Sequence, residues 1–357
     1  MKMNDKLVAF PQLANYYVPI KFLLNKLTDC KIIKTPKITK KTVELGVKNS
    51  PEFVCMPFKY NLGNFIEALE EGANVLLQAG GGCRYGYYAE VQQQILKDMG
   101  YKFEFYTLTE TDKIAIISIY KTLKKLNPKL GFLKYLYCLA LTFKMIHYMD
   151  KIDAYIRKNV GFEAVNHSFE NLLEEMLEMF SKTRSFTHLY KMHRRYNKLF
   201  KQLKIAKPKN PIKIGIIGEL YTSMEPFANY DLEKMLGKMN VEVSRFTNIT
   251  YLVITKRFNT KKLLKICNKY CRYPIGADGM DNVARAITLA LEGYDGLIHI
   301  KPFGCTPEIG AMHILNKVSE DYKIPIIYFT FDNQTSIEGI RTRLEAFYDM
   351  IKMRRSK

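Results

Sequence analysis

The sequence predicts an α/β protein in which a helical region separates two parallel-sheet domains. Short buried-strand patterns alternate with helical spacings in residues 1–108 and again in residues 210–357. Residues 109–209 carry helical spacings without a convincing strand pattern, and the proline-rich stretch 207–211 follows them. Because such alternation is typical of a parallel sheet covered by helices, we expect domains at 1–108, 109–209 and 210–357.

The N-terminal part shows strand and helix patterns in turn. Strands are predicted at 7–10, 31–35, 73–78 and 101–108, and helices at 16–27, 58–69 and 87–99. The basic stretch 34–41 contains Pro36 and is predicted to be a loop. The parallel arrangement of these strands would make this domain flavodoxin-like.

The middle and C-terminal parts differ in their periodicity. Helices are predicted at 112–126, 131–159, 162–183 and 184–203, and then strands at 213–218, 241–245, 295–300 and 325–332, with helices at 230–239, 261–270, 280–292, from 306 and at 338–352. After the strand at 213–218, only Gly215 and Gly218 are present, so a dinucleotide-binding fingerprint is not supported. We expect a second flavodoxin-like domain.

A cysteine recurs just before a predicted helix at three places. Apolar residues lead through Cys55 into a helix, a strand at 73–78 leads through three glycines to Cys83, and a strand at 295–300 leads to Cys305. We therefore expect each cysteine to lie in a turn between a strand and a helix. In an open α/β sheet such turns lie at the carboxyl edge, where ligands bind.

The positions of these thiols favour ligation or catalysis over a role as small buried apolar side chains. A thiol beside a helix N-terminus is favoured as thiolate, the ligating form. We expect backbone N–H groups around Gly81, Gly82 and Thr306 to offset the negative charge there, with Thr306 as N-cap and Pro307 first in its helix. The glycines leave room for a bulky group near Cys83.

The other cysteines carry weaker signals. Cys267 and Cys271 are spaced so that they share one helix face, but no second pair accompanies them, which makes a zinc motif a weak interpretation. Cys138 lies in an apolar helix and is predicted to belong to the core, and the role of Cys30 is open. In a chain of this size we expect reduced thiols or metal ligands rather than disulfides.

Composition leaves several partner classes open. The formal charge is +20, which suits an acidic protein partner or a phosphate-bearing substrate, or simply reflects lysines spread over solvated helix surfaces. No nucleic-acid-binding motif is present, so we expect no nucleic-acid partner. The first residues do not resemble a signal peptide and no apolar run reaches 18 residues, so we expect a cytoplasmic protein without a membrane partner.

Several motifs resemble those of the 2-hydroxyacyl-CoA dehydratase and benzoyl-CoA reductase subunit family. The similarity is to its activase-related branch, which neighbours the double-cubane iron–sulfur proteins, and it covers about residues 50–108 and 210–350 rather than the helical middle. The motifs are Cys55-Met56-Pro57, Gly80-Gly81-Gly82-Cys83, 218–221, 225–229, 302–308, Asp332 and 341–347.

The resemblance implies a cofactor and partners. Cys55, Cys83 and Cys305 would hold an iron–sulfur cluster, either [4Fe-4S] or double-cubane, in a cleft between the two α/β domains. By the same resemblance, electrons would come from a separate ATP-dependent activator protein with its own cluster. This chain has no Walker A motif, so it would receive the electrons rather than hydrolyse ATP itself. The substrate would be an acyl-CoA, and the chain would pair with an identical or a related subunit.

Three functions remain open from the sequence. The first is a redox enzyme, namely a lyase or reductase of the 2-hydroxyacyl-CoA dehydratase type. The second is an accessory protein that transfers electrons. The third is a structural zinc protein whose fourth ligand is His299 or His313. The catalytic residues are unknown, with Glu219 and Glu308 as candidates because both lie near strand ends. For Glu308, an acid that complements a helix dipole is the competing interpretation.

Overall fold

The computed structural model describes residues 6–33, 36–79, 85–108 and 116–356. The chain forms two compact units, Met1–Ile146 and His147–Lys357, here called the N-terminal unit and the C-terminal unit. Each contains a four-stranded parallel sheet. The predicted α/β class with two flavodoxin-like sheets is confirmed.

The N-terminal sheet has the strand order β2-β1-β3-β4. Its strands are β1 (Leu7–Ala9), β2 (Lys31–Ile32), β3 (Val75–Gln78) and β4 (Glu104–Thr107). The helices that connect or follow them are α1 (Tyr17–Leu27), α2 (Lys40–Asn49), α3 (Met56–Glu70), α4 (Tyr85–Asp98) and α5 (Ile116–Leu126). Side chains from β1 and β3 alternate between two apolar clusters, Val8 and Leu77 in one and Ala9 and Leu76 in the other, as expected for a parallel sheet buried on both faces.

Helix α2 was not predicted from the sequence, which indicated a loop at 34–41 and apolar residues before Cys55. Its N-terminus is a capping box, in which the Thr39 and Thr42 side chains bond each other's backbone N–H groups. A Cβ at Gly46 would lie 1.9 Å from the Lys59 carbonyl oxygen, and one at Gly63 would lie 2.0 Å from that of Thr42. The two glycines thus allow α2 and α3 to pack backbone against backbone.

The described residues from 116 to 209 are almost entirely helical. After α5 come α6 (Phe132–Asn159), α7 (Ser168–Ser181) and α8 (Phe186–Gln202), together with a short 3-10 segment and one isolated antiparallel bridge. The division between the two compact units falls within α6, and the domain boundaries at 109 and 210 stay a prediction. In the described part of the chain, no helix is both long and apolar enough to cross a membrane.

The C-terminal sheet repeats the strand order of the first, as β6-β5-β7-β8. Its strands are β5 (Ile212–Gly218), β6 (Val241–Arg245), β7 (Gly296–Pro302) and β8 (Ile326–Phe331). Its helices are α9 (Leu220–Met224), α10 (Leu232–Lys238), α11 (Lys256–Cys267), α12 (Gly279–Leu291), α13 (Thr306–Tyr322) and α14 (Ile337–Arg355). Residues 222–229 are partly helical, because they include the end of α9 and a 3-10 turn at Phe227–Asn229.

The strand order places a switch point between β5 and β7 in this sheet. The chain leaves β5 toward one edge of the sheet, through β6, and returns to β7 on the other side of β5. In doubly wound sheets, ligands bind at the carboxyl ends of the strands where the order reverses. Gly218 ends β5 and Cys305 follows β7 by three residues, so both lie at this switch point.

The backbone at the end of β5 leaves no space for a side chain where it faces β7. Gly218 has a φ of +140°, and a Cβ there would lie 1.8 Å from the Ile300 carbonyl oxygen. The same oxygen accepts a hydrogen bond from the Glu219 N–H at 2.9 Å. Only glycine combines this backbone conformation with this approach, so the turn after β5 depends on it.

We predict that Gly218→Ala lowers the free energy of unfolding by at least about 2 kcal/mol, because both the backbone conformation and the contact with Ile300 oppose a side chain. Gly310→Ala is the matched control, since Gly310 lies in α13 and a Cβ there would have no neighbour within 4 Å. That change should be neutral or stabilise by up to about 1 kcal/mol. Urea titrations of both variants measure the difference; equal effects would contradict the proposed constraint.

Candidate functional site at the carboxyl edge of the sheets

Cys305 lies at the carboxyl edge of the C-terminal sheet, as predicted. It is the N-cap of α13 in an extended conformation, it is partly exposed, and its thiol does not bond the first turn of its helix. Its N–H donates to the Pro302 carbonyl at 3.3 Å and its carbonyl accepts from the Ile309 N–H at 2.9 Å. The thiol is therefore presented at a helix N-terminus by a turn that the backbone holds at both ends.

The N-cap of α13 is Cys305, one residue before the predicted N-cap Thr306. Thr306 is the first residue of α13 and Pro307 the second, so Cys305 itself takes the capping position. Proline suits the first turn because its missing N–H has no partner to lose there. Thr306 is exposed, and its proposed part in offsetting negative charge stays a prediction.

Glu308 lies in the first turn of α13 but is turned inward. Its Oε2 is 2.7 Å from His299 Nε2, and both of its oxygens accept from the Asn282 amide at 2.9 Å. Glu308 and His299 are 1% and 0% exposed. With both oxygens engaged in the interior, Glu308 is placed as a structural acid rather than as one that faces a ligand.

Asn282 connects this acid to the turn after β5. Its Oδ1 accepts a hydrogen bond from the Gly218 N–H at 3.0 Å, while its amide donates to Glu308. The sequence did not indicate Asn282, because it lies 64 residues from Gly218 and 26 from Glu308. Its position in the first turn of a predicted helix was the only available signal.

Glu219 is the N-cap of α9 and lies directly after Gly218. Its carboxylate accepts from the Tyr221 N–H at 3.0 Å, the Thr222 N–H at 2.9 Å and the Thr222 hydroxyl at 2.7 Å. Burial raises the pKa of Glu219 to about 7, against these hydrogen bonds, and the nearby Asp278 charge acts in the same direction as burial. A carboxyl group that changes protonation near neutral pH suits proton transfer.

Further charged groups surround this edge. Lys256 Nζ lies 2.7 Å from Asp278, 2.9 Å from Asp281 and 2.8 Å from the Ala277 carbonyl oxygen. Burial opposes the charged form of Lys256, but the two carboxylates outweigh it and raise its pKa. The sequence did not single out this group, since its members are about 20 residues apart.

Lys301 is the other cation that sequence reasoning missed. It is 5% exposed and lies near the end of β7. Burial lowers its pKa, whereas the negative charges of Cys305 and Glu308 act in the opposite direction. Because this interaction is mutual, the charged form of Lys301 favours negative charge on the Cys305 thiol.

Cys55 does not follow a strand, which corrects the prediction. Residues 36–54 are all described and hold α2 and turns, without a strand. Cys55 is instead the N-cap of α3, which leads back into β3, and Pro57 is the second residue of that helix. Since helices of such units run antiparallel to the strands, Cys55 still lies at the carboxyl edge of its sheet.

The contact of Cys55 with α4 supports this placement. Its Sγ lies 3.4 Å from the Tyr88 hydroxyl, and the Tyr88 ring packs edge-on against Phe58 with centroids 4.8 Å apart. Helix α4 follows β3, so its first turns also lie at the carboxyl edge. Cys55 is partly exposed, and like Cys305 it precedes a helix whose second residue is proline.

The third predicted cysteine and its glycines are not described. Cys83, Gly81 and Gly82 lie in residues 80–84, outside the described residues. Their predicted parts in binding stay predictions. Among the described residues, no group of three or more His, Cys, Asp or Glu side chains is placed to hold a metal ion, and this does not test a ligand set that includes Cys83.

The remaining cysteines are buried. Burial raises the pKa of Cys30 and of Cys138, and burial with the neighbouring Cys271 raises that of Cys267 to about 11. Cys138 belongs to the apolar cluster of the N-terminal unit, as predicted. Cys267 and Cys271 both belong to a cluster of the C-terminal unit, so these thiols behave as core side chains.

The two histidines considered as zinc ligands are poorly placed for that role. His299 Nε2 is occupied by Glu308 in a fully buried position. His313 is exposed and lies eight residues after Cys305 in α13, or about 12 Å along a helix. A zinc ion needs both ligands within about 2.3 Å, so neither histidine supports the zinc interpretation beside Cys305.

Comparison with known families gives one match. The profile of the family described as 2-hydroxyglutaryl-CoA dehydratase, D-component, matches residues 139–351. The matched part contains the C-terminal unit's sheet and Cys305, and also most of the helical middle, which carried no resemblance in the sequence. The N-terminal motifs at 50–108 lie outside it. A search of curated proteins found no match.

The raised pKa of Glu219 makes stability depend on pH in one direction. Between pH 4.5 and about 7 the unfolded chain has this group ionised while the folded chain keeps it protonated. The free energy of unfolding of the wild type, relative to Glu219→Gln, should therefore fall as pH rises through this window, by at most about 1.4 kcal/mol per pH unit, and then level off. Urea titrations from pH 4.5 to 8 measure it.

The exposed acid Glu292 of the same unit supplies a control for that experiment. Glu292→Gln retains Glu219 and should follow the wild-type pH dependence. A stability difference between wild type and Glu219→Gln that stays constant across this range would show that Glu219 is ionised throughout.

Proposed function

The chain belongs to the 2-hydroxyglutaryl-CoA dehydratase D-component family, and from this we propose that it is an iron–sulfur protein of the 2-hydroxyacyl-CoA dehydratase type. Cys55, Cys83 and Cys305 provide the thiolate ligands in this proposal. The supporting observation is that Cys55 and Cys305 share one local geometry, a partly exposed thiol at the N-cap of a helix with proline in its first turn.

The donor set suits an iron–sulfur cluster. Thiolates are the usual ligands of such clusters, and a helix N-terminus stabilises their negative charge. Neither Cys55 nor Cys305 uses its sulfur to cap its own helix. The buried thiols of Cys30, Cys138 and Cys267 have raised pKa values, which disfavours them as ligands by comparison.

When bound, the cluster would supply low-potential electrons, received from a separate ATP-dependent activator protein with its own cluster, for radical dehydration or reduction of an acyl-CoA. The chain's own groups have other roles in this proposal. Lys301 offsets negative charge beside Cys305, and Glu219 gives or takes a proton near neutral pH. The protein would act in the cytoplasm with an identical or a related subunit.

The proposal predicts which cysteines hold iron. Ala substitutions of Cys55, Cys83 and Cys305 should each lower the iron content and the visible absorption of anaerobically purified protein, because each removes a thiolate ligand. Cys271→Ala is the matched control, since Cys271 is buried in the core of the C-terminal unit. Iron retained at the wild-type level after Cys305→Ala would refute the assignment.

A second experiment separates an enzyme from an accessory electron-transfer protein. A thioester-reducing cluster needs a low potential, so we expect turnover of a 2-hydroxyacyl-CoA only with an activator and ATP, or with a very strong reductant. The midpoint potential and the dependence of turnover on the activator are measured on the same sample. A potential well above that of low-potential ferredoxins, with no response to the activator, would favour the accessory protein.

A further inference from the structure

A buried polar cluster at the switch point has no role in the reaction as proposed above. It consists of His299, Asn282 and Glu308, which are 0%, 3% and 1% exposed. Taking a carboxylate and an imidazole out of water is unfavourable unless their hydrogen bonds are satisfied. The burial of these groups is therefore offset by the hydrogen bonds that they make with one another.

The cluster joins four elements of the C-terminal unit. His299 comes from the middle of β7, Asn282 from the first turn of α12, Glu308 from the first turn of α13, and the Gly218 N–H from the end of β5. Its contacts are His299–Glu308 at 2.7 Å, Asn282–Glu308 at 2.9 Å and Asn282–Gly218 at 3.0 Å. Asn282 is thus the link between the turn after β5 and the helix that Cys305 begins.

Glu308 transmits this restraint to Cys305. It lies in the first turn of α13, and the next residue, Ile309, donates its N–H to the Cys305 carbonyl. Pro307 between them is packed tightly, since a Cβ at Gly279 of α12 would lie 2.8 Å from its carbonyl oxygen. The backbone at Cys305 therefore follows the position of the Glu308 carboxylate.

Asn282 transmits the same restraint to Glu219. The Gly218 N–H is held by Asn282, and the Glu219 N–H by the Ile300 carbonyl one residue beyond His299. The peptide groups before and after Gly218 are both held in this way. The thiol and the carboxyl group are thereby held on one rigid frame, although they are 86 residues apart in the sequence.

We propose that Glu308 is a positioning residue that couples the Cys305 turn to the Gly218–Glu219 turn through Asn282. Glu308 itself does not react, because both of its oxygens are engaged in the interior. Only the role of Cys305 as a ligand rests on the proposed function; the coupling of the two turns does not. Weakening the hydrogen bonds of Glu308 should therefore loosen both the Cys305 turn and the Gly218–Glu219 turn, although Glu308 does not contact the second of these.

Amide hydrogen exchange of the full-length protein without iron tests the coupling. In Glu308→Gln, the Gly218 and Ile309 amides should both exchange at least about tenfold faster, the factor expected from loss of a hydrogen bond to a charged group. Glu320→Gln is the control: it is the same substitution in the same helix, at an exposed residue that pairs with Lys317. It should change neither amide.

If Glu308→Gln does not fold, His299→Gln is used in its place. This substitution weakens the contact between β7 and Glu308 and leaves Asn282 unchanged. The same two amides should then exchange faster. Faster exchange at Ile309 with an unchanged Gly218 amide would overturn the coupling, because Gly218 contacts Asn282 and not Glu308. An unchanged exchange at both amides would overturn it as well.

Protein that contains the iron–sulfur cluster allows a further measurement, the spectrum of that cluster, which a purely stabilising role of Glu308 would not change. At equal iron content, Glu308→Gln should alter the electron paramagnetic resonance spectrum of the reduced cluster, whereas Glu320→Gln should not. A spectrum identical to that of the wild type would overturn the positioning of Cys305. If the wild type binds no iron, the proposed function fails, while hydrogen exchange still decides the coupling.

Discussion

The close approach of Gly218 to the Ile300 carbonyl is the constraint on which the carboxyl edge of the C-terminal sheet depends. It occurs where the strand order reverses, and it leaves no space for a side chain. Because β5 and β7 meet there backbone to backbone, the Gly218 N–H points to Asn282 and the Glu219 side chain caps α9. These two polar contacts therefore start from the backbone position that Gly218 holds.

The two units present their cysteines in related but not identical ways. Cys305 follows a strand and Cys55 follows a helix and a turn, yet each thiol lies at the N-cap of a helix at a carboxyl edge. What they share is thus the helix N-terminus rather than the strand before it. This common feature places positive potential beside each sulfur, which favours the thiolate form.

The sequence predicts the strands and most of the helices, but not which buried polar side chains meet. The turn at Cys305 was predictable because a strand, Gly304 and Pro307 are all adjacent to it. Helix α2 was missed because Pro36 favours a loop at 34–41, whereas reciprocal bonds between Thr39 and Thr42 start a helix there. The strand expected before Cys55 was wrong because residues 36–54 hold this helix and turns. The Asn282–Glu308 contact spans 26 residues, and no local pattern indicates which buried polar groups will meet.

The most direct test of the account is the metal and sulfide content of wild-type protein purified without oxygen. We predict a brown protein with iron and acid-labile sulfide in similar amounts and an electron paramagnetic resonance signal after reduction. A colourless protein that contains zinc, or one that takes up neither iron nor sulfide on anaerobic reconstitution, would contradict it.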